Sequence, residues 1–306
     1  NRVEKASRAI RQFLWTPDIV AVQEAENLSA LQVLAARVNA DAVAAGDPDP
    51  GYVAFLVEGQ APSGLDIGFL VRTSPVSGST PRVAVQAVVQ ELAGTLMVNP
   101  DSSTASLWER PPLRLDAVVN GPRGVSQAIE VINVQFRSRD GIDSIAAGTN
   151  GWAMVGAEVR GRRHSQASDL ADLVQTRQTA DPTERIAVVG GFESFPFNDG
   201  FVDVLATLRG TPAPDSETAV PGDGADRVDP DLQLLEPDAP GYSVIDRGDA
   251  AATDHVVVND DLEEKAASLQ YAHIAADFPE TDRNTALTAT RVSDHDPLVA
   301  SFVLNQ

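Results

Sequence analysis

The chain has 306 residues, of which 43% are hydrophobic, and its formal net charge is −21. This length is enough for one large α/β domain or for two domains of ordinary size. The absence of cysteine excludes disulfides, thiolate chemistry and cysteine-ligated zinc or iron–sulfur sites. The sequence contains no apolar run near the roughly 18 residues that a membrane span requires.

The basic residues are nearly all arginines, because Lys5 and Lys265 are the only lysines. A strongly negative field repels polyanions and opposes tight non-specific binding of nucleic acid, which needs clustered lysine and arginine. A nuclease needs only a local basic or metal-bearing cleft, so the charge weakens that function without excluding it. The acidic composition favours an extracellular or cell-surface setting, with any export signal lying upstream of Asn1.

Hydrophobic periodicity predicts alternating helices and strands without an internal repeat, which favours one α/β domain with mixed sheets. Ser29 and Gln32 have the spacing of a capping box and predict the start of the second helix. Residues 211–241 are rich in Pro, Asp and Gly, which predicts a polar loop inside the domain. The predicted helices are 2–14, 29–45, 165–176 and 200–208, and the predicted strands are 18–24, 52–57, 66–72, 82–92, 113–119, 128–136, 186–190, 242–245, 254–258 and 298–304.

The most informative stretch lies near the C-terminus, where residues 292–298 read Val-Ser-Asp-His-Asp-Pro-Leu. It places an imidazole, His295, between two carboxylates on a loop that enters an apolar run. Asp and Pro also form ordinary turns, so the stretch by itself is consistent with a turn alone. Its Ser-Asp-His-Asp-Pro core resembles the terminal signature of the endonuclease/exonuclease/phosphatase superfamily, the metal-dependent phosphodiesterases related to pancreatic deoxyribonuclease.

Four other segments stand in the order that this superfamily uses, and the match covers nearly the whole chain. On these motifs the chain is identified as deoxyribonuclease-I-like, in a secreted bacterial branch of the superfamily. In the family these segments are a strand ending in Gln-Glu, a strand ending in Asn and His, a Gly-Asp-Phe-Asn loop and an Asp-His strand. They correspond here to 18–27, 132–138, 189–196 and 253–258.

The resemblance implies one domain over 1–306, an α/β (α+β) four-layered sandwich of two packed mixed β-sheets flanked by helices. The family's first strand, which carries a further Asn, has no counterpart in this chain. The implied chemistry is in-line attack of water on a phosphodiester, with Mg²⁺ or Mn²⁺ neutralising the phosphoryl oxygens. The resemblance makes Glu24 the metal ligand, Asp294 a second carboxylate beside the metal, and Asp254 the partner of a phosphate-contacting His295.

Three positions depart from the family pattern. Gln135 stands where the family has a catalytic His, and an amide cannot carry a proton near pH 7. Gly191 stands where the family has a water-orienting Asp, and Glu193 replaces a neutral Asn by an anion. Since acid–base groups contribute about 10²–10⁴ in rate and electrostatic donors about 10²–10³, we expect a loss of at least roughly three orders of magnitude.

Three functions are compatible with these motifs. The first is a catalytically impaired phosphodiesterase fold kept as a binding or structural module, with weak or absent Mg²⁺ or Mn²⁺ binding and a protein partner or assembly. The second is a working Mg²⁺-dependent nuclease or phosphodiesterase acting on nucleic acid, in which Glu193 supplies the carboxylate missing at Gly191. The third is a non-enzymatic surface protein without a phosphate site. The other histidines, His164, His255 and His273, are expected to pack in the core or to face solvent.

Overall fold

The computed structural model describes residues 2–59, 61–239 and 241–303. Three residues of the predicted elements lie outside these ranges. They are Asn1, the first residue of the predicted domain, Pro240 in the predicted loop, and Leu304, the last residue of the predicted terminal strand. The helices are α1 (Arg2–Arg8, continued by a π-helical turn at Ala9–Phe13), α2 (Leu28–Ala44), α3 (Val155–Ala180), α4 (Val204–Arg209) and α5 (Asp260–Glu263). The strands are β1 (Ile19–Ala25), β2 (Tyr52–Leu56), β3 (Asp66–Arg72), β4 (Pro75–Ser77), β5 (Thr80–Pro81), β6 (Val83–Gln90), β7 (Leu96–Val98), β8 (Thr104–Ser106), β9 (Leu113–Asn120), β10 (Ser126–Gln135), β11 (Ile186–Gly191), β12 (Gln233–Leu234), β13 (Val244–Asp246), β14 (Asp249–Ala251), β15 (Asp254–Val258), β16 (Ala266–Tyr271) and β17 (Leu298–Phe302).

Two sheets form the centre of the molecule. The larger has six strands in the order β12-β15-β11-β10-β9-β6, and it is mixed because β10 and β11 run parallel while its other pairs run antiparallel. The smaller is antiparallel, in the order β1-β3-β2. A separate antiparallel pair, β16 and β17, packs against the same inter-sheet core.

Side-chain alternation along the strands builds two core layers at once. On β3, Phe69 and Val71 point into the cluster between the two sheets, where Leu115 of β9 and Val258 of β15 also lie. The intervening Leu70 points the other way, into the cluster beneath α2. Each such fully buried side chain contributes about 1.5–3 kcal/mol, so the alternation fixes which face of β3 meets which layer.

Helices cover both outer faces. The smaller sheet is covered by α2 through Leu31, Ala35 and Val38, and the larger sheet is covered by α3 through Leu170 and Val174. The order of layers is therefore helix, sheet, sheet, helix. The α/β sandwich predicted from the motifs is confirmed.

Local details differ from the sequence prediction. The prediction of a capping box at Ser29 and Gln32 is wrong. The N-cap is Asn27, whose side chain accepts a hydrogen bond from Ala30 N. Helix α3 begins at Val155 rather than 165. Its first turns contain Gly161, where a Cβ would lie 2.5 Å from the Trp152 ring, so packing selects a residue with low helical propensity.

Other differences concern strands and a helix end. Strand β16 was not predicted, because only one of its six residues is buried and its hydrophobic pattern is therefore weak. The loop 211–241 contributes β12 to the edge of the larger sheet, where it pairs with β15. Helix α4 begins at Val204 instead of 200, because Asp203 caps it by accepting from Ala206 N.

Candidate functional site

The candidate site lies where strands of the larger sheet end beside the end of β1. The parallel strands β10 and β11 finish together, with Gln135 paired to Gly191, and Gly191 is also paired to Asp254 at the start of β15. This register places three of the predicted site positions in one row across the sheet. The parallel register explains why residues far apart in sequence reach a common edge.

Asp254 and His295 form the central pair of the site. His295 Nδ1 and Asp254 Oδ2 are 2.6 Å apart, as the resemblance leads one to expect. The backbone N–H of His295 donates to Ser293 Oγ, and the Thr253 hydroxyl donates to the same oxygen of Asp254, which fixes both partners. The arrangement leaves Nε2 as the ring nitrogen free to meet a ligand.

The surroundings of His295 favour its charged form. Burial alone would lower the pKa of the imidazole, but the hydrogen bond and charge of Asp254, with the charges of Glu193 and Asp294, raise it to about 9. The ring is therefore an imidazolium at pH 7, able to donate a hydrogen bond to an anion and to hold a proton. It cannot serve as a general base at that pH.

Glu24 is placed at the cleft by an irregularity in β1. The register with β3 shifts between Val22 and Ala25, and Glu24 takes a left-handed backbone with φ 58°. Its side chain is exposed, and its Oε1 accepts a hydrogen bond of 3.1 Å from Gln135 Nε2. The Oε1 atom of Gln135 is buried and has no partner. The residue that replaces the family His thus contacts the carboxylate that the resemblance assigns to the metal.

Gly191 leaves the position of the family Asp open. A Cβ built there would meet Asp254 Oδ1 at 3.6 Å and the Gln135 side chain at 3.7 Å, both ordinary contacts. The neighbouring Gly190, by contrast, has φ 132° and lies against the backbone of Val134, so it has no room for a side chain. The fold could thus accommodate a side chain at 191, where the resemblance leads one to expect a carboxylate.

Glu193 follows on the loop after β11, with a left-handed backbone at φ 51°. Its N–H donates to the Thr253 carbonyl, and its own carbonyl accepts from the buried guanidinium of Arg163. Burial raises the pKa of the Glu193 carboxyl, Asp254 and Glu24 raise it further, and His295 and Arg163 oppose the shift. Glu193 therefore shares the electrostatic environment of the central pair.

A cleft of about 490 Å³ joins these groups. All seven residues selected from the sequence line it, so the structure brings the whole set together, while their catalytic and metal-binding roles stay predictions. Acidic side chains lie around His295, and most of the apolar part of the lining comes from α1 and α2. The lining includes Glu24, Gln135, Gly191, Glu193, Asp254, Asp294 and His295, with Val3, Ala6, Leu31, Leu34 and Val292 on the apolar side.

Two supporting residues were not assigned from the sequence. Asn133 is fully buried on β10, donates to the carbonyls of Val22 and Gly68, and accepts from Gln23, so it ties β1 and β3 of the smaller sheet to the larger one. Arg163 of α3 is fully buried and donates to three loop carbonyls near the cleft. The Asn-x-Gln pattern at the end of β10 could have pointed to Asn133. No local sequence pattern distinguishes Arg163 from the other arginines of α3.

The donors at the cleft do not fit a dedicated divalent-cation site. Glu24 is engaged by an amide N–H, and Asp294 is an exposed carboxylate whose Oδ1 accepts from Ser293. Across residues 2–59, 61–239 and 241–303, the one group of three or more potential ligands is His273, Asp277 and Asp296, which includes neither of them. A hard cation prefers several oxygen ligands.

The group of His273, Asp277 and Asp296 is already engaged in structural contacts. Asp296 Oδ1 accepts three backbone N–H groups, from Ile274 to Ala276, and its Oδ2 lies 3.0 Å from His273 Nδ1. The Tyr242 hydroxyl donates to Asp277. These bonds hold the 274–276 turn against the terminal motif.

The remaining histidines lie outside the cleft lining. His255 is buried, its Nε2 is 2.7 Å from the Ser194 carbonyl, and burial lowers its pKa. Burial also lowers the pKa of His164, on α3. No helix within the described ranges combines the length and hydropathy needed to cross a membrane.

Comparison with known proteins shows the fold. No protein-family model matches the chain, and no curated protein does. Among solved structures, a Staphylococcus aureus beta toxin matches 99% of this chain and 93% of its own at 14% identity and a TM-score of 0.55. An endonuclease/exonuclease/phosphatase from Bacteroides vulgatus matches 99% and 90% at 13% identity and 0.54. Truncated TDP2 from Caenorhabditis elegans matches 98% and 90% at 12% identity and 0.52. The chain has the endonuclease/exonuclease/phosphatase fold.

Proposed function

We propose that this domain binds phosphodiester groups in the cleft at His295 but has lost most of its capacity to hydrolyse them. It acts as a binding or structural module, at the outside of the cell and within a larger assembly. The fold supports the phosphodiester part of the proposal, and the acidic composition supports the location.

One observation carries the loss of hydrolysis. The Gln135 amide donates to Glu24, and Gly191 brings no carboxylate to the space beside Asp254. The cleft thus lacks a proton-carrying group at 135 and a water-orienting group at 191. What survives is a charged His295 held by Asp254, which can bind a phosphoryl oxygen by a charge-assisted hydrogen bond.

The test is hydrolysis of bis(p-nitrophenyl) phosphate with Mg²⁺ or Mn²⁺, by the parent and by His295→Ala. We expect both proteins to give the same rate as buffer with metal. Inorganic phosphate should nevertheless shift the NMR signals of His295 in the parent. Metal-dependent turnover that falls at least a hundredfold in His295→Ala would overturn the proposal.

A working phosphodiesterase is the second candidate, because Glu193 lies in the same cleft as His295 and Glu24. In that case Glu193 supplies the carboxylate missing at Gly191. Glu193→Gln then abolishes turnover by the parent, whereas an impaired domain has no turnover for this substitution to remove.

A further inference from the structure

Two aromatic rings and a guanidinium form a stack next to the cleft. The rings of Phe195 and Phe197 are stacked, with centroids 5.2 Å apart and planes inclined by 18°. The guanidinium of Arg139 lies 4.2 Å from the centroid of Phe195. Parallel offset rings and a cation over a ring are both favourable geometries. We call Arg139, Phe195 and Phe197 the aromatic stack.

The aromatic stack stands at the same edge of the sheet as the cleft. Arg139 follows Gln135 by four residues and Phe195 follows Gly191 by four, and these two strand ends are paired. Phe195 is two residues from Glu193, which lines the cleft, so their Cα atoms are within about 7 Å. The stack therefore begins close to the cleft lining, within reach of a bound ligand that is longer than a single phosphate group.

Local bonds hold the stack in place. Arg139 is paired with Asp199, whose other oxygen accepts from Phe201 N. Asn198 accepts from Gly200 N and donates to the Glu217 carbonyl. Phe197 is nevertheless 65% exposed, so one large apolar ring faces solvent on a constrained loop. A ring presented in this way loses little conformational entropy when a second planar group stacks on it.

We infer that Phe197 is a stacking platform for a nucleobase of a short single-stranded oligonucleotide whose phosphate lies at His295. This inference rests on the proposed phosphodiester binding and names its ligand. Aromatic side chains accept any base, because every base has a π-face, and an adjacent Arg adds a cation–π contribution.

The charge of the protein decides what kind of nucleic-acid binding is possible. With a net charge of −21, the domain cannot follow a long phosphate backbone by electrostatic attraction. Stacking on Phe197 and a single hydrogen bond from His295 do not need such an attraction. Binding is therefore expected to be weak and only slightly salt-dependent. An anionic membrane is disfavoured by the same charge.

The experiment measures fluorescence anisotropy of a fluorescein-labelled short oligothymidylate with the parent and four variants, one of which is His295→Ala. Phe197→Ala should raise the Kd by about tenfold, and Phe197→Trp should retain binding. In the latter, indole fluorescence should be quenched by the oligonucleotide but not by an abasic strand of equal length. Trp15→Ala is the matched control, because Trp15 is 81% exposed and lines a different cavity. It should leave the Kd unchanged.

The remaining outcomes separate this inference from the proposed function. If binding falls in His295→Ala but is unchanged in Phe197→Ala and with the abasic strand, base stacking on Phe197 is contradicted. Phosphodiester binding in the cleft would remain supported. Absence of binding to the oligonucleotide and to inorganic phosphate would overturn both. The parent could instead bind phosphatidylcholine vesicles but not the oligonucleotide, with weaker vesicle binding in Phe197→Ala. That result would identify Phe197 as a membrane contact and contradict its role in stacking on a nucleobase.

Discussion

The amide of Gln135 donates a hydrogen bond to the carboxylate of Glu24 over 3.1 Å and so joins the end of β10 to the end of β1. By the resemblance, Glu24 is the position of the metal ligand and Gln135 the position of a catalytic His. An N–H group on Glu24 occupies one of the lone pairs that the carboxylate could otherwise offer to a cation. The side chain at 135 thus takes the place of a cation as a partner of Glu24.

Removal of this amide should strengthen metal binding. We expect weak or absent Mn²⁺ binding by the parent and a Kd at least about tenfold lower in Gln135→Ala, because the competing charge-assisted bond is gone. Isothermal titration calorimetry measures the difference, with Gln86→Ala, an exposed amide on β6, as the control. A micromolar site in the parent that Glu24→Ala abolishes would contradict this prediction.

Reversal of the three departures should restore hydrolysis. The triple variant Gln135→His, Gly191→Asp and Glu193→Asn supplies a proton carrier, a water-orienting carboxylate and a neutral donor. The structure provides space at 191, where the nearest atoms to a Cβ are at 3.6 and 3.7 Å and the backbone is not left-handed. We expect Mg²⁺-dependent plasmid nicking at least about 10³ faster than by the parent. A folded triple variant, checked by circular dichroism, that nicks no faster would show that other groups limit the reaction.

The charge of His295 should make stability depend on pH. Its pKa is about 9 in the folded protein and 6.5 in the unfolded chain, so folding favours the protonated ring. The stabilisation is complete below pH 6.5 and is lost as the pH rises through 9. After allowance for solvent screening we expect a loss of about 2 kcal/mol, measured by urea unfolding. The same titration in Asp254→Asn should be nearly flat over this interval. A parent curve equally flat would contradict the assignment.

Asn133 should be important for stability, because it connects the two sheets. Asn133→Ala leaves the partly buried carbonyl of Val22 and the buried carbonyl of Gly68 without this donor, and we expect a loss of about 3 kcal/mol in the free energy of unfolding. Gln86→Ala, on the exposed surface, should change it by less than about 0.5 kcal/mol. Equal effects of both substitutions on urea unfolding would rule out this role.

The helices and strands with a strong local hydrophobic pattern were predicted well, and those with a weak pattern were missed or misplaced. The buried strands β3 and β11 were predicted to within a residue, because a buried strand must be continuously apolar and its ends are marked by polar residues or glycine. The start of α3 was missed by ten residues, because the fit of Trp152 against Gly161 is a tertiary contact that leaves no helical pattern in the sequence. Strand β16 was missed because pairing with β17, and not its own periodicity, forms it.

The sequence by itself indicated the fold and selected the seven residues that the structure brings to one cleft, whose roles stay predictions. It could do so because its motifs resemble those of a known superfamily, and this resemblance implies both the fold and the positions of the site residues at the strand ends. Only the tertiary structure decided that Gln135 contacts Glu24, that Gly191 has room for a side chain, and that Glu193 raises the proton affinity of His295. These properties depend on distances and burial among residues more than a hundred positions apart in several cases, and no local pattern encodes them.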